Sequence, residues 1–320
     1  MSEPGPTSVH TRNGSRARTP SPIVEADVRS RADLGRSVTA TLWWTQGVES
    51  WLTAWMAPDE LLEVFHRRIR LPDADAIPGW KQEHVGLVHR SYVEGADGGG
   101  FVEAPRGLGA DPDAVIEQEV AFFRERGLAF EWKTYAYDEP ADLGERLERH
   151  GFVRDEQETL VLGEVDRVVA RPSALPSKVR VREARGPEDY ERIAVLTDSL
   201  WHNGIERIVE HLAGEARMFP DRLSVFLVED VLTGGPVVSA AWVRFHPGTG
   251  FASLWGGGTL PEWRRQGLYS ALLVHRARLA KDRGYEFLRV DASEDSRPIL
   301  RKLGLHAVTV TTPYQWTPGA

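Results

Sequence analysis

The chain has 320 residues, no cysteine, 41% hydrophobic residues including 11 tryptophans, and a formal net charge of −8. That length accommodates two domains of ordinary size, and the apolar content excludes a wholly disordered protein. The lack of cysteine excludes disulfides, thiolate-bound zinc and a thiol nucleophile, while the acidic balance argues against a nucleic-acid carrier, which normally presents a basic face.

Residues 1–36 are rich in Ser, Thr, Pro, Gly and Arg and poor in large apolar side chains. Such a composition buries too little surface to offset its ordering entropy, so a disordered tail is expected. It contains no apolar stretch of leader type, and no run in the chain approaches the length of a membrane-spanning helix, so a cytoplasmic location away from membranes is the default expectation. Val38 to Trp44 has the β-branched and aromatic content of a strand. Pro58 then opens a helix carrying Leu61, Leu62, Val64, Phe65 and Ile69. The glycine-rich stretch 95–100 and the proline-bounded stretch 105–112 read as loops. A helix from Asp113 to Arg126 stops at Gly127, and a strand from Leu128 to Tyr137, a short helix from Pro140 to His150 and a strand from Thr159 to Val165 follow.

The stretch 167–178, with Pro172 and Pro176, reads as a linker. Beyond it come a strand (Val179 to Glu183), helices at Pro187 to Leu200 and Ile205 to Met218, and strands at Leu223 to Glu229, Pro236 to Phe245 and Phe251 to Gly257. A helix follows Gly267, then a strand at Glu286 to Val290, a helix at Ser296 to Leu303 and a last strand at Leu305 to Trp316. This order indicates an α+β fold around one mixed, twisted sheet flanked by helices.

The segment joining the Phe251 strand to the next helix carries the clearest chemical signal. It passes through Thr259, Leu260 and Pro261, a basic pair at Arg264 and Arg265, then Gln266 and Gly267. The first amides of a helix have no partner inside it, and the macrodipole favours negative charge there, so a strand, a basic turn and a helix N-terminus make an anion site. Gly267 admits positive φ and close approach of a ligand to the main chain. Elsewhere the signals are ambiguous. Glu229 and Asp291 end strands, as general bases or as ordinary strand-end carboxylates. His202 sits at the break between two helices, as a substrate contact or a loop histidine. Trp255 is either core or an aromatic wall. Ser296 reads as a helix cap, and Arg276, Arg278, Lys281 and Arg283 read as a solvated helix face.

Arg264-Arg265-Gln266-Gly267-Leu268-Tyr269 resembles the Q/R-x-x-G-x-G/A loop of the GNAT superfamily of N-acetyltransferases, and Ser296 to Leu305 resembles that superfamily's second cofactor-side motif. The resemblance spans Val179 to about Trp316. It implies transfer of an acetyl group from acetyl-CoA to a primary amine by direct attack in a ternary complex, without a metal. It further implies that the amides from Arg265 to Ser270 (Gln266, Gly267, Leu268 and Tyr269 between them) hold the pyrophosphate, helped by the charge of Arg264 or Arg265. The amides of Thr259 and Leu260 would polarise the thioester, Ser296 would lie on the cofactor side, and His202 and Trp255 would face the acceptor, a small molecule or a protein amino group. Two departures stand out: Tyr269 occupies a position for Gly or Ala, and Leu300 one where many relatives carry a tyrosine. The competing expectation is a non-catalytic acyl-CoA-binding module for sensing or assembly.

The first half echoes the second. Glu125 to Phe130 parallels Lys281 to Phe287, and Leu147 to Phe152 parallels Leu300 to Leu305, which suggests a duplicated fold. Residues 37–166 therefore resemble a degenerate GNAT-like half and residues 179–320 the acetyltransferase half of a tandem protein. In the first half the glycines at 107 and 109 are followed by Asp111 and Asp113, whose carboxylates would repel a pyrophosphate. The simplest role for it is structural, completing a cleft or an interface.

Overall fold

The computed structural model describes residues 55–72, 80–95, 98–202, 205–232 and 235–319. The expected tail 1–36 and the strand Val38 to Trp44 lie outside the described residues. The first half runs α1 (Pro58–Phe65), β1 (Lys81–Val85), β2 (Val88–Val93), β3 (Gly99–Glu103), α2 (Pro112–Arg126), β4 (Ala129–Tyr135), α3 (Leu143–Arg149), β5 (Val153–Arg154), β6 (Glu158–Glu164) and α4 (Val165–Val169). The second runs β7 (Val179–Glu183), α5 (Pro187–Trp201), α6 (Ile205–Met218), β8 (Leu223–Asp230), β9 (Val237–His246), β10 (Phe251–Thr259), α7 (Leu268–Asp282), β11 (Phe287–Ala292), α8 (Arg297–Lys302) and β12 (His306–Trp316).

Local chemistry sets these boundaries. Pro58 opens α1, and Glu60 accepts a hydrogen bond from the Ala57 amide at 2.7 Å. Asp111 accepts from the Ala114 amide at 3.2 Å to start α2, which ends at Gly127 with φ 65°. The glycines Gly99 and Gly100 lie within β3 rather than in a loop. A β-carbon on Gly100 would stand 2.2 Å from the Phe123 ring, so the glycine lets α2 pack tightly on the strand.

All strands but β5, which pairs with β12, form one path in the order β1-β2-β3-β4-β12-β6-β11-β10-β9-β8-β7. The two halves exchange strands at its centre. β6, from the first half, pairs with β11 of the second, while the C-terminal β12 pairs with β4 of the first. The stretch 167–178 is therefore not a boundary of the sheet. One face is covered by α4 and α7, whose Val165, Val168, Leu272 and Ala277 share a core with Val243 and Leu288. On the opposite face α5 and α6 cover β8 and β9, and α1 lies over the middle, packing Leu61 and Phe65 on Leu160, Leu162, Phe251 and Phe287. The α+β expectation holds. Among the described residues, no helix is long and apolar enough to cross a membrane.

Candidate functional site

β10 and β11 pair in parallel only from Phe251–Phe287 to Ser253–Arg289. Beyond that point they part, while β10 stays paired with β9 as far as Thr259–Ser239, through a register shift between Gly256 and Gly258. The bulge and the parting leave the upper edge of β10 facing a cleft of about 880 Å3.

Gly256, Gly257 and Gly258 give the bulge its close contacts. A β-carbon on each would stand 2.5 Å from the Trp242 ring, 2.7 Å from the Tyr269 ring and 3.0 Å from the Trp201 ring, respectively. Gly256 and Gly257 also have positive φ, 69° and 88°, so any side chain there would be both crowded and strained.

Past Thr259 the chain makes one tight turn at Pro261–Trp263 and enters α7 through Arg265 at φ 61° and Gly267 at φ 84°. Arg264 Nε donates to the Thr259 carbonyl at 3.1 Å, tying the turn to the end of β10. Among the described residues, no amide from Arg265 to Ser270 is committed to a backbone carbonyl. These amides, Arg264, Arg265 and Lys302 make one end of the cleft cationic. Arg276 is buried beneath the bulge and donates to the carbonyls of Trp242 at 2.9 Å and Trp255 at 3.0 Å. Burial pulls its pKa down to about 10, and it remains charged at neutral pH. It is thus a brace between β9 and β10, not part of a solvated face.

The other end of the cleft is ionic and draws on both halves. Lys133 Nζ, on β4, lies 2.9 Å from Glu158 Oε2 on β6 and 3.3 Å from Asp291 Oδ2 on β11. Arg289 Nη2 also reaches Asp291 Oδ2, at 3.1 Å. Burial pushes the Asp291 carboxyl up, but Arg289 and Lys133 outweigh it and hold the pKa below the ordinary value.

Thr259, Arg264, Arg265 and Gly267 line the cleft with Leu268, Tyr269 and Ser270. Trp255, Asp291 and Ser296 line it as well. Burial pushes the Tyr269 phenol up, opposed by the charge of Arg276 and a hydrogen bond with Ser296. The remaining expectations need correction. Ser296 gives no side-chain cap to α8; its hydroxyl donates to the Ser293 carbonyl at 3.2 Å. Leu260 packs into the core, and its amide is taken by the Val238 carbonyl at 3.0 Å, so it cannot polarise a thioester. Gln266 turns its side chain to the Glu262 carbonyl at 3.0 Å and does not line the cleft. His202 closes α5 at φ 53°, exposed and outside the cleft lining, where its neighbour Trp201 stands instead. Glu229 is 6% exposed and accepts from Arg180 at 3.0 Å, Arg182 at 2.9 Å and Arg192 at 2.8 Å. These cations, Arg182 foremost, hold its pKa down to about 2, and it lies outside the cleft lining, so it is a structural anion rather than a base.

No protein-family model and no curated protein matches the chain. Solved structures do. A GCN5-related N-acetyltransferase from Kribbella flavida superposes with a TM-score of 0.56 at 18% identity, over 76% of this chain and 91% of that one. One from Sphaerobacter thermophilus gives 0.54 at 15% identity, over 73% and 78%. A tandem GNAT protein from the clavulanic acid biosynthesis pathway gives 0.56 at 12% identity, over 83% and 98%. The fold is that of the GCN5-related N-acetyltransferases, in tandem form. At these identities the likeness is one of fold.

Within this GNAT fold, sequence reasoning overlooked Lys133, Glu158, Trp201 and Arg276 as cleft residues. The first two come from the half read as structural, and only the strand exchange brings them to the cleft. Arg276 carried a signal, since it falls one helical turn after Leu272 and one before Ala280, on the buried stripe of α7. In the first half a more open cavity of about 460 Å3 borders Arg106 and Gly107 and is rimmed by Asp59, Glu63, Asp138 and Glu139, a poor setting for a diphosphate.

Proposed function

We propose that the chain is an acetyl-CoA-dependent N-acetyltransferase acting on a primary amine, with its site in the second half. One observation carries this reading: the uncommitted amides from Arg265 to Ser270 sit at the foot of an unpaired, bulged strand edge. The residues fit the donor. Free amides at a helix N-terminus suit a diphosphate, and an open strand edge suits an extended arm bearing amides. What acetyl-CoA supplies is an activated acyl group, whose C–S bond is exchanged for a C–N bond to the amine.

The chain's own part is chiefly positioning, because holding two reactants together removes most of the entropic barrier. The Leu260 amide points to β9, so by the alternation of a strand the Thr259 amide points the other way, into the cleft, where it can stabilise developing charge on a carbonyl oxygen. Asp291 lines the cleft with Oδ1 unpartnered and, unlike Glu229, lies where an amine can reach it; although Arg289 and Lys133 make it a weak base, it receives the amine's proton through a water. Tyr269 lines the cleft and gives a proton to the departing sulfur.

A second reading, an acyl-CoA binder without turnover, draws support from the Tyr269 ring, which narrows the groove at Gly257. Two measurements separate the readings. Acetyl-CoA at about 100 times its Kd should stabilise the protein by about 2.7 kcal/mol, and Gly267→Asp should remove that shift. A flat melting curve would end both readings. A shift with no CoA release across a broad amine panel would leave only the binder.

A further inference from the structure

The ionic end of the cleft is built by strand exchange, and register shows how. Residues directly opposite each other on paired strands share a face of the sheet. Tyr135 is opposite Thr311, Thr311 is opposite Glu158, and Leu160, two residues on from Glu158, is opposite Asp291. Lys133 is two residues before Tyr135. Lys133, Glu158, Asp291 and Arg289 therefore stand on one face, carried by three strands that belong to both halves.

On that face the cations are already engaged and the carboxylates are not exhausted. Lys133 bridges Glu158 and Asp291, and Arg289 adds a bond to the same Asp291 oxygen. Asp291 Oδ1 has no partner although the side chain is only 8% exposed and lines the cleft. Arg289 Nε, the Tyr135 hydroxyl and Thr311 Oγ1 are also buried without partners. Buried polar atoms rarely stay unpaired, so this cluster marks a place for water or for a ligand's polar group. Glu158 uses Oε2 on Lys133, and its side chain is 35% exposed. Two indoles, Trp255 at 41% exposure and Trp201 at 47%, line the same cleft. Each carboxylate here keeps one oxygen without a protein partner, so this end offers acceptors to a ligand, whereas the arginine-rich end offers donors.

We propose that Glu158 and Lys133, both supplied by the first half, are specificity-determining residues of the acceptor site. Glu158, beside Asp291, seats the distal, non-reacting ammonium group of a cationic alkyl amine whose chain lies against Trp255 and Trp201, and Lys133 tunes the affinity by competing for the same carboxylates. The inference rests on the acetyltransferase reading for its place in the reaction, but its test does not depend on turnover. Lys133 acts as a competitor for the incoming cation, since it already occupies one oxygen of each carboxylate.

The test is calorimetric titration of 1,5-diaminopentane into the full-length protein saturated with CoA, with glutarate, a dianion of the same length, as control. The expected result is binding of the diamine and none of glutarate. Glu158→Gln should weaken the diamine by at least about tenfold, the loss of one charge-assisted hydrogen bond. Lys133→Gln should leave diamine affinity unchanged or raise it, because the competing cation is gone. The acetyl-CoA melting shift should be the same in both variants as in the parent. A parent that ignores the diamine, or a Glu158→Gln variant that binds it equally well, overturns the proposal. So does loss of diamine binding in Lys133→Gln, or loss of the acetyl-CoA shift in Glu158→Gln, since either would mean a structural role. Absence of the acetyl-CoA shift in the parent would instead remove the acetyltransferase reading.

Discussion

The Tyr269 ring rests on Gly257, so closely that a β-carbon at the glycine would stand 2.7 Å from it. The large side chain at a position for Gly or Ala is thus accommodated by a missing one on the strand opposite. Tyr269→Phe keeps this contact and removes only the hydroxyl. It should lower kcat by about 100-fold, a usual size for general acid catalysis, while the acetyl-CoA melting shift persists. A loss smaller than threefold would remove Tyr269 as the proton donor. Gly257→Ala must displace the ring from a backbone at φ 88°, and should cost about 1–3 kcal/mol in chemical denaturation.

Arg265 holds φ 61°, a conformation that L side chains other than Asn and Asp rarely adopt. Arg265→Gly relieves strain of about 1 kcal/mol and should raise the unfolding midpoint. The same change removes a positive charge from the loop and should weaken acetyl-CoA several-fold in a binding titration. Stability and affinity moving together in the same direction would contradict a strained loop kept for ligand binding.

Two strongly depressed groups contribute to the response to acid, in separate windows. His246 donates to or accepts from Ser253 Oγ at 2.8 Å, and burial, with Arg289, Arg244 and Arg222 nearby, lowers its pKa from 6.5 to about 4. Between those values the unfolded chain binds a proton that the folded protein does not, so stability falls as pH drops from 6.5 towards 4, by up to about 1.4 kcal/mol per pH unit. Glu229, depressed from 4.5 to about 2, contributes stability that is present above 4.5 and lost as pH falls towards 2. Urea denaturation across pH should show His246→Asn reducing the slope in the upper window, where His66, His275 and His306 act in the same direction, and leaving the lower. Glu229→Gln should cost about 3 kcal/mol at neutral pH by leaving three guanidinium groups short of an anion, with kcat unchanged. A kcat collapse in Glu229→Gln would restore it to the chemistry.

The loop end of the site was legible because its signal is local. A strand, two arginines, Gly267 and an amphipathic helix follow one another between Phe251 and Asp282, and the loop amides are left open whatever the side chains. Gly127 and Pro58 marked helix ends for the same reason. The ionic end was illegible, because Lys133 and Asp291 lie far apart in sequence and meet only through β12 and β6. The sequence pattern ends the strand at Gly257, since nothing in it says that Trp242, Tyr269 and Trp201 arrive from elsewhere to cover the three glycines. Glu229 looked like a candidate base from its strand-end position, whereas its three arginines come from β7 and α5.

The strand exchange makes a physical prediction about the linker at 167–178. Residues 179–320 expressed alone would lack β4, β5 and β6, leaving one edge of β11 and both edges of β12 unpaired, and would lose Val161, Val165 and Val168 from the core beneath α7. Unpaired buried backbone and a missing core layer are together far more than a domain's net stability of about 5–15 kcal/mol. The fragment should be insoluble or molten, with weak near-ultraviolet circular dichroism. Cutting the intact protein at a protease site placed in 172–177 should behave differently. The two pieces should elute together from a sizing column in native buffer and separate only in denaturant, because each holds a central strand of the other's sheet. A cleaved protein that falls apart into two folded halves would show that the exchange does not hold the sheet together.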